Sequence, residues 1–97
     1  MIMKIRLDLS SHCVETEIKR LHNRSLSSYF KTNGSEKIRL ETTIECLHQA
    51  LTRMDFSRLR TAHPALAGST TQEVALCIEN DRLRILVDGR PVPGADL

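Results

Sequence analysis

Tryptophan is absent from the 97 residues, and Tyr29, Phe30 and Phe56 are the whole aromatic content. A core must therefore be filled mainly by Leu, Ile and Val, and a chain this short buries only about two thirds of its unfolded surface. One modest core in one domain is the expectation, and burying part of it against a second copy would add stability. Cys13, Cys46 and Cys77 are odd in number and far apart, which argues against a disulfide framework and offers no zinc-ligand spacing. They read as buried, reduced thiols of a cytosolic protein. No apolar run approaches the length of a membrane span, and the opening Met-Ile-Met-Lys-Ile-Arg lacks the apolar centre of a signal peptide. A cytoplasmic location is expected. The triplets Asn23-Arg24-Ser25 and Asn33-Gly34-Ser35 match the glycosylation pattern, and on that expectation they stay unmodified.

A dominant charge is missing too, because the net charge is only +2. Residues 1–24 hold five Lys/Arg against three Asp/Glu, residues 25–60 six against four, and residues 61–97 three against five. The drift suits an electropositive face but falls short of the footprint of a committed nucleic-acid binder. Signatures of catalysis are equally scarce. There is no P-loop, no dinucleotide fingerprint and no Gly-x-Ser-x-Gly elbow. His12, His22, His48 and His63 share no i, i+4 spacing, and Cys46 and His48, two apart, point to different faces of a helix. Surface or capping roles are expected for the histidines. A Cys/His nucleophile pair has no local signature around any of the three cysteines. The expectation is no cofactor, no metal and no enzyme activity.

What the chain does have is periodicity. Leu40, Ile44, Leu47, Leu51 and Met54 recur at steps of four and three with Glu41, Glu45, Gln49 and Arg53 between them, the pattern of an amphipathic helix that needs a partner surface. At the start, Ile5, Leu7 and Leu9 alternate with Lys4, Arg6 and Asp8, the period of a half-buried strand. Ser10 and Ser11 offer an N-cap for a following helix with Val14, Ile18 and Leu21 inward, Glu15 and Glu17 in its first turns, and Lys19, Arg20 and Arg24 later.

Residues 25–42 admit two readings. The first helix can run on to Thr32-Asn33-Gly34, a good stop signal, with Ser35 capping the second. Alternatively, Asn33-Gly34 is a two-residue hairpin turn, and Thr42 with Glu45 forms the capping box of a shorter helix. Two long helices are preferred, since Ser25, Ser27 and Ser28 make a poor strand and Leu40 already lies in the helical stripe. Phe56 to Leu59 predicts a short helical turn stopped by His63-Pro64, and residues 62–72 a loop. Val74, Leu76 and Ile78, a turn at Asn80-Asp81 and a return strand from Leu83 to Val87 predict a hairpin. Asp88-Gly89 turns again, Val92 pairs briefly, and Pro91 with Pro93-Gly94 ends the sheet.

The expected fold is one α+β domain over residues 1–92, in the order β-α-α-β-β, with a frayed tail over 93–97. A three-stranded antiparallel sheet, the N-terminal strand plus the C-terminal β-hairpin, is covered on one face by two antiparallel helices. The alternative is a ferredoxin-like β-α-β-β-α-β arrangement. The core is expected from Ile5, Leu7 and Leu9, then Val14, Ile18 and Leu21, the five stripe residues of the second helix, and Val74, Leu76, Ile78, Leu83, Ile85 and Val87.

Two functions follow as expectations. The first is a small non-catalytic protein-interaction or regulatory accessory protein, a homodimer or bound to a larger partner, suggested by the small core and the missing chemistry. The second is a DNA-binding regulator of the ribbon-helix-helix kind, in which two chains pair their first strands and Arg6 reads guanine while Lys4 contacts phosphate. Against it, the first helix is long for such a repressor, Asp8 repels phosphate, and the C-terminal strands need a neighbour. RNA binding on a ferredoxin-like sheet is disfavoured because Tyr29 and Phe30, being adjacent, fall on opposite faces of a strand.

Overall fold

The computed structural model describes residues 2–96. Strand β1 (Ile2–Leu7) leads into helix α1 (Val14–Tyr29), helix α2 (Ser35–Arg53) and the short helix α3 (Phe56–Ala62). A 3-10 turn (Pro64–Ala67) follows, then strands β2 (Val74–Glu79), β3 (Arg82–Val87) and β4 (Arg90–Asp96). The four strands form one antiparallel sheet in the order β1-β2-β3-β4. The class is α+β, as the periodicities imply, with one strand and one helix more than expected.

The extra strand comes from the Asp88-Gly89 turn. Both residues hold positive φ, 51° and 81°, the backbone of a tight hairpin connection, and Asp88 is anchored by the Glu73 and Gln72 nitrogens that donate to its carboxylate. The chain therefore folds back on β3, pairing Arg90 with Val87 and Pro91 with Leu86, and after an irregularity Asp96 with Arg84. Pro91 and Pro93 are tolerated because β4 is an edge strand. Residues 93–96 are thus not a frayed tail: Val92 is buried and Ala95 fully so, which ties the segment to the core. Leu97 lies outside the described residues.

The ferredoxin-like alternative is not adopted. Asn33-Gly34 joins two helices: the Thr32 hydroxyl donates to the Ser28 carbonyl at 2.7 Å, and Gly34, with φ 76°, serves as the N-cap of α2. A positive φ suits glycine here just as it would in a hairpin, so the dipeptide alone does not choose between the two. Residue 13, not Ser10 or Ser11, caps α1, and the Ser10 hydroxyl donates instead to the Asp8 carboxylate at 2.6 Å.

The core lies between the helices and one sheet face, where Leu7, Leu76, Ile78, Leu83 and Ile85 meet Val14, Ile18, Leu21 and Leu47. Helix α2 is turned slightly from its expected orientation. Thr43, Cys46, Leu47 and Ala50 are its buried residues, while Leu40, Ile44 and Leu51 are only half-buried. The reason is size. Small side chains at 43, 46 and 50 let α2 lie close to the sheet, where the Thr43 hydroxyl meets Met3 Sδ at 3.3 Å and the Cys46 thiol reaches the Asp81 carbonyl at 3.7 Å. The bulkier residues flank that seam. Phe56, Leu59 and Leu66, from the short helix and the 3-10 turn, complete the core at its other end.

Candidate functional site

Three places carry chemistry or exposed apolar surface. The first is the sheet face turned away from the helices. Strand alternation puts Lys4 and Arg6 there, as expected, and the register sets Lys4, Cys77 and Arg84 in one row across three strands. The next row is Arg6, Ala75, Leu86 and Pro91, and the row on the other side is Ile2, Glu79 and Arg82. Lys4, Arg6, Arg82 and Arg84 are all exposed, above a floor of half-buried Cys77 and buried Ala75. Lys4 makes a loose ion pair with Glu73 at 3.7 Å. Sequence reasoning placed the two cations of β1 but missed Arg82 and Arg84. Their alternation with Leu83 and Ile85 was the available signal. For ribbon pairing between two chains, β1 has one edge left, since its other edge is bonded to β2 along its whole length.

The second place is the far end of the α1–α2 hairpin. Leu21 is the last buried residue of α1 and Thr43 the first of α2. None of residues 22–42, all of them described, is buried. Phe30 is 79% exposed and Ile38 67%. Tyr29 meets Phe30 edge to face at 5.6 Å, and Lys37 Nζ sits 4.5 Å from the centre of the Tyr29 ring. Leu26 and Leu40 are only half-buried. Ile38, Glu41 and Thr42 line one shallow cavity with Cys46 and Asp81, beside the β2–β3 turn.

The third place is the corner where β1 enters α1. Glu17, expected in the first turns of the helix where its dipole favours an acid, is buried and serves as a tie. The Asp8 backbone N–H donates to its Oε2 at 2.8 Å, Arg20 Nη1 donates to Oε1 at 3.0 Å, and His12 Nε2 lies 3.0 Å from Oε1. Beside it, Cys13 stands at the start of α1, half-buried. The Thr16 hydroxyl lies 3.4 Å from its sulfur, and Arg60 Nη1 donates to the sulfur at 3.7 Å and to Glu15 at 3.3 Å. These partners, the Thr16 hydroxyl foremost, outweigh burial and hold the Cys13 thiol at about 7, below the ordinary thiol range. Cys46 differs: burial, then the Asp81 and Glu45 carboxylates, push its thiol up. Of the three cysteines only Cys46 is buried, a correction to the expectation that all would be.

The arrangement gives Cys13 nucleophilic character near neutral pH. The neighbouring His12 is engaged elsewhere, its Nε2 by Glu17 and Arg20 and its Nδ1 by Ser11 at 3.4 Å. His22 and His48 face each other across α1 and α2, ring centres 6.0 Å apart. Among the described residues no group of three or more His, Cys, Asp or Glu is placed to hold a metal ion, and no helix is long and apolar enough to cross a membrane.

A protein-family model of uncharacterised function matches residues 3–88, which run from β1 through the helices to the turn after β3. No curated protein and no solved structure matches the chain.

Proposed function

The chain belongs to that uncharacterised family, and on this premise we propose that it is a non-catalytic interaction protein that pairs with a second copy of itself through the far end of the α1–α2 hairpin. One observation carries the reading: Phe30 and Ile38 stand exposed on a stretch of two helices in which nothing between Leu21 and Thr43 is buried. A helix pair is stable when its apolar stripe is covered, and two hairpins packed about a two-fold axis cover each other as a four-helix arrangement. A second copy suits the surface because both signs of charge occur on it. Lys31, Lys37 and Arg39 lie near Glu36 and Glu41, so two-fold pairing can set unlike charges together.

The test is the double variant Phe30→Ser/Ile38→Ser, compared with the wild type by sedimentation equilibrium. Fully burying each such side chain contributes roughly 1.5–3 kcal/mol, and a dimer buries two from each copy, roughly 6–12 kcal/mol in all, so association weakens by roughly ten-thousandfold or more. The fold itself is retained, since both side chains are exposed. A wild type that stays monomeric at every concentration, or a double variant that associates equally well, overturns the reading. So does a catalytic turnover that is lost in Cys13→Ser.

A further inference from the structure

The sheet has two edges, and they differ. At one side β4 carries Pro91 and Pro93, which have no N–H to offer, and its pairing with β3 shifts between Arg84 and Leu86, so that edge is poorly suited to a further strand. At the other side β1 has neither a proline nor a shift in register. Glu73 fixes which way the backbone of β1 points. Its N–H donates to the Asp88 carboxylate at 2.9 Å and its carbonyl accepts from the Asp88 N–H at 2.7 Å, so both groups turn toward the β3 side. Backbone groups two residues apart on a strand point the same way, which turns Val74, Leu76 and Ile78 toward β1 and their register partners Leu7, Ile5 and Met3 toward β2. The N–H and C=O of Ile2, Lys4 and Arg6 are therefore directed out from the free edge, over about 13 Å, and among the described residues no strand lies there. Asp8 has the same parity: its N–H leaves the ladder for Glu17, which closes the edge at that end.

We propose that this edge takes up an extended, acidic segment of a partner protein as a fifth, antiparallel strand. Donors and acceptors that alternate at strand spacing are matched by another extended backbone. The side chains select its sequence. Residues directly opposite Ile2, Lys4 and Arg6 share their face, so acids across from Lys4 and Arg6 and an apolar residue across from Ile2, which is 66% exposed, complete cross-strand pairs. The residues between them fall on the side of half-buried Met3 and Ile5 and are apolar. At the Asp8 end the edge meets a cavity lined in part by Arg6, Arg20, Leu21 and Arg24, with Asp8 and Glu17. Both acids are already engaged, Glu17 by the Asp8 N–H, Arg20 and His12, and Asp8 by Ser10. Arg6 and Arg24 have no ion pair among the described residues, so an incoming carboxylate finds two uncommitted guanidinium groups. Lys4 holds only its loose contact with Glu73, and Glu79 stands across from Ile2, at the other end. A second copy is the wrong occupant. Its β1 in antiparallel overlap sets Lys4 against Lys4 or against Arg6, and like charges directly opposite oppose pairing.

The probe is a capped, fluorescein-labelled peptide Glu-Val-Glu-Val-Val, whose two Glu stand across from Arg6 and Lys4 and whose last Val stands across from Ile2. Its binding is followed by anisotropy at low salt, and amide exchange of the protein is read residue by residue by NMR. In the free protein the Met3, Ile5 and Leu7 amides exchange slowly and the Lys4 and Arg6 amides quickly; saturating peptide slows Lys4 and Arg6 markedly. N-methylation of the two Glu amides, which would donate to the Arg6 and Lys4 carbonyls, removes two hydrogen bonds and weakens binding roughly 5- to 140-fold. N-methylation of the Val between them, whose N–H points away from β1, leaves binding unchanged. Arg6→Ala/Arg24→Ala weakens it by roughly 2- to 25-fold, and Arg53→Ala, at the far end of α2, not at all. All three side chains are exposed, so the variants keep their melting curves. No binding at protein concentrations up to about 1 mM overturns the proposal, as does equal binding of a peptide with Lys in place of Glu. Tolerance of the N-methylated Glu amides overturns it by showing that charge alone holds the peptide. Slowing of the Lys4 and Arg6 amides with protein concentration alone overturns it too, since a second copy then fills the edge. Because Phe30 and Ile38 take no part, this result stands or falls separately from self-association through the hairpin end.

Discussion

Glu17→Ala is the substitution whose cost can be worked most directly from the structure. The carboxylate is buried, and its three partners differ in what they lose. Arg20 is exposed and returns to water when the carboxylate goes, so its ion pair is worth well under about 1 kcal/mol. His12 is more covered but also has Arg20 and Ser11 within reach. The Asp8 backbone N–H is the costly one. It sits at the end of β1, and a hydrogen bond to a charged acceptor contributes roughly 1.5–3 kcal/mol. Alanine recovers a few tenths of a kcal/mol of helix propensity. The net loss is about 2–3 kcal/mol, a large share of a total stability of roughly 5–15 kcal/mol, and lowers Tm by roughly 10–20 °C for a domain this size. Glu17→Gln keeps an acceptor for the Asp8 N–H but turns an amide toward Arg20, so about half the loss is expected. Urea unfolding followed by circular dichroism gives both values. If Glu17→Ala falls within about 0.5 kcal/mol of wild type, or Glu17→Gln costs as much as Glu17→Ala, the tie between β1 and α1 is not what the geometry implies.

Leu47 is fully buried between α2 and the sheet, so Leu47→Asp costs several kcal/mol and abolishes the cooperative melt; an unchanged melt refutes the helix face described. Cys13 alkylates with a pH midpoint of about 7, read by iodoacetamide rates, and Thr16→Ala moves the midpoint up toward the ordinary thiol range; a wild-type midpoint already in that range refutes the role of Thr16 and Arg60. The same shift has a sign in stability. A thiol held low in the folded chain favours folding fully above the ordinary range and loses that contribution as pH falls through about 7, a trend that Cys13→Ser removes.

Much of the fold was legible because alternation and helical periodicity report directly on which face is covered. Ile5 and Leu7 against Lys4 and Arg6, the Val14, Ile18 and Leu21 stripe, and the Asn80-Asp81 turn all follow from local spacing. The parts that were not legible depend on meetings far apart in sequence. Whether Asn33-Gly34 turns strands or helices is decided by what its flanks pack on. The rotation of α2 follows from Ala50 and Cys46 being small where the sheet approaches. Pro91 and Pro93 read as an ending, yet an edge strand accepts them. Glu17 read only as an acid suited to the helix dipole, because nothing in its neighbourhood announces that the Asp8 N–H will reach it. Of the candidate surfaces, Lys4 and Arg6 were visible from β1 alone. Arg82 and Arg84 lie in the acidic third of the chain, and only the register brings them to the same face. The exposed hairpin end was hidden because its residues continue the amphipathic pattern beyond Leu21 and Thr43, the buried positions nearest the turn.

The most direct test of the central claim is amide hydrogen exchange of the wild-type protein at low and high concentration. Pairing through the hairpin end predicts that residues 22–42 exchange quickly when dilute and slow markedly on concentration, while the sheet amides do not change. Exchange in that segment independent of concentration, or slowing that appears at β1 instead, contradicts it.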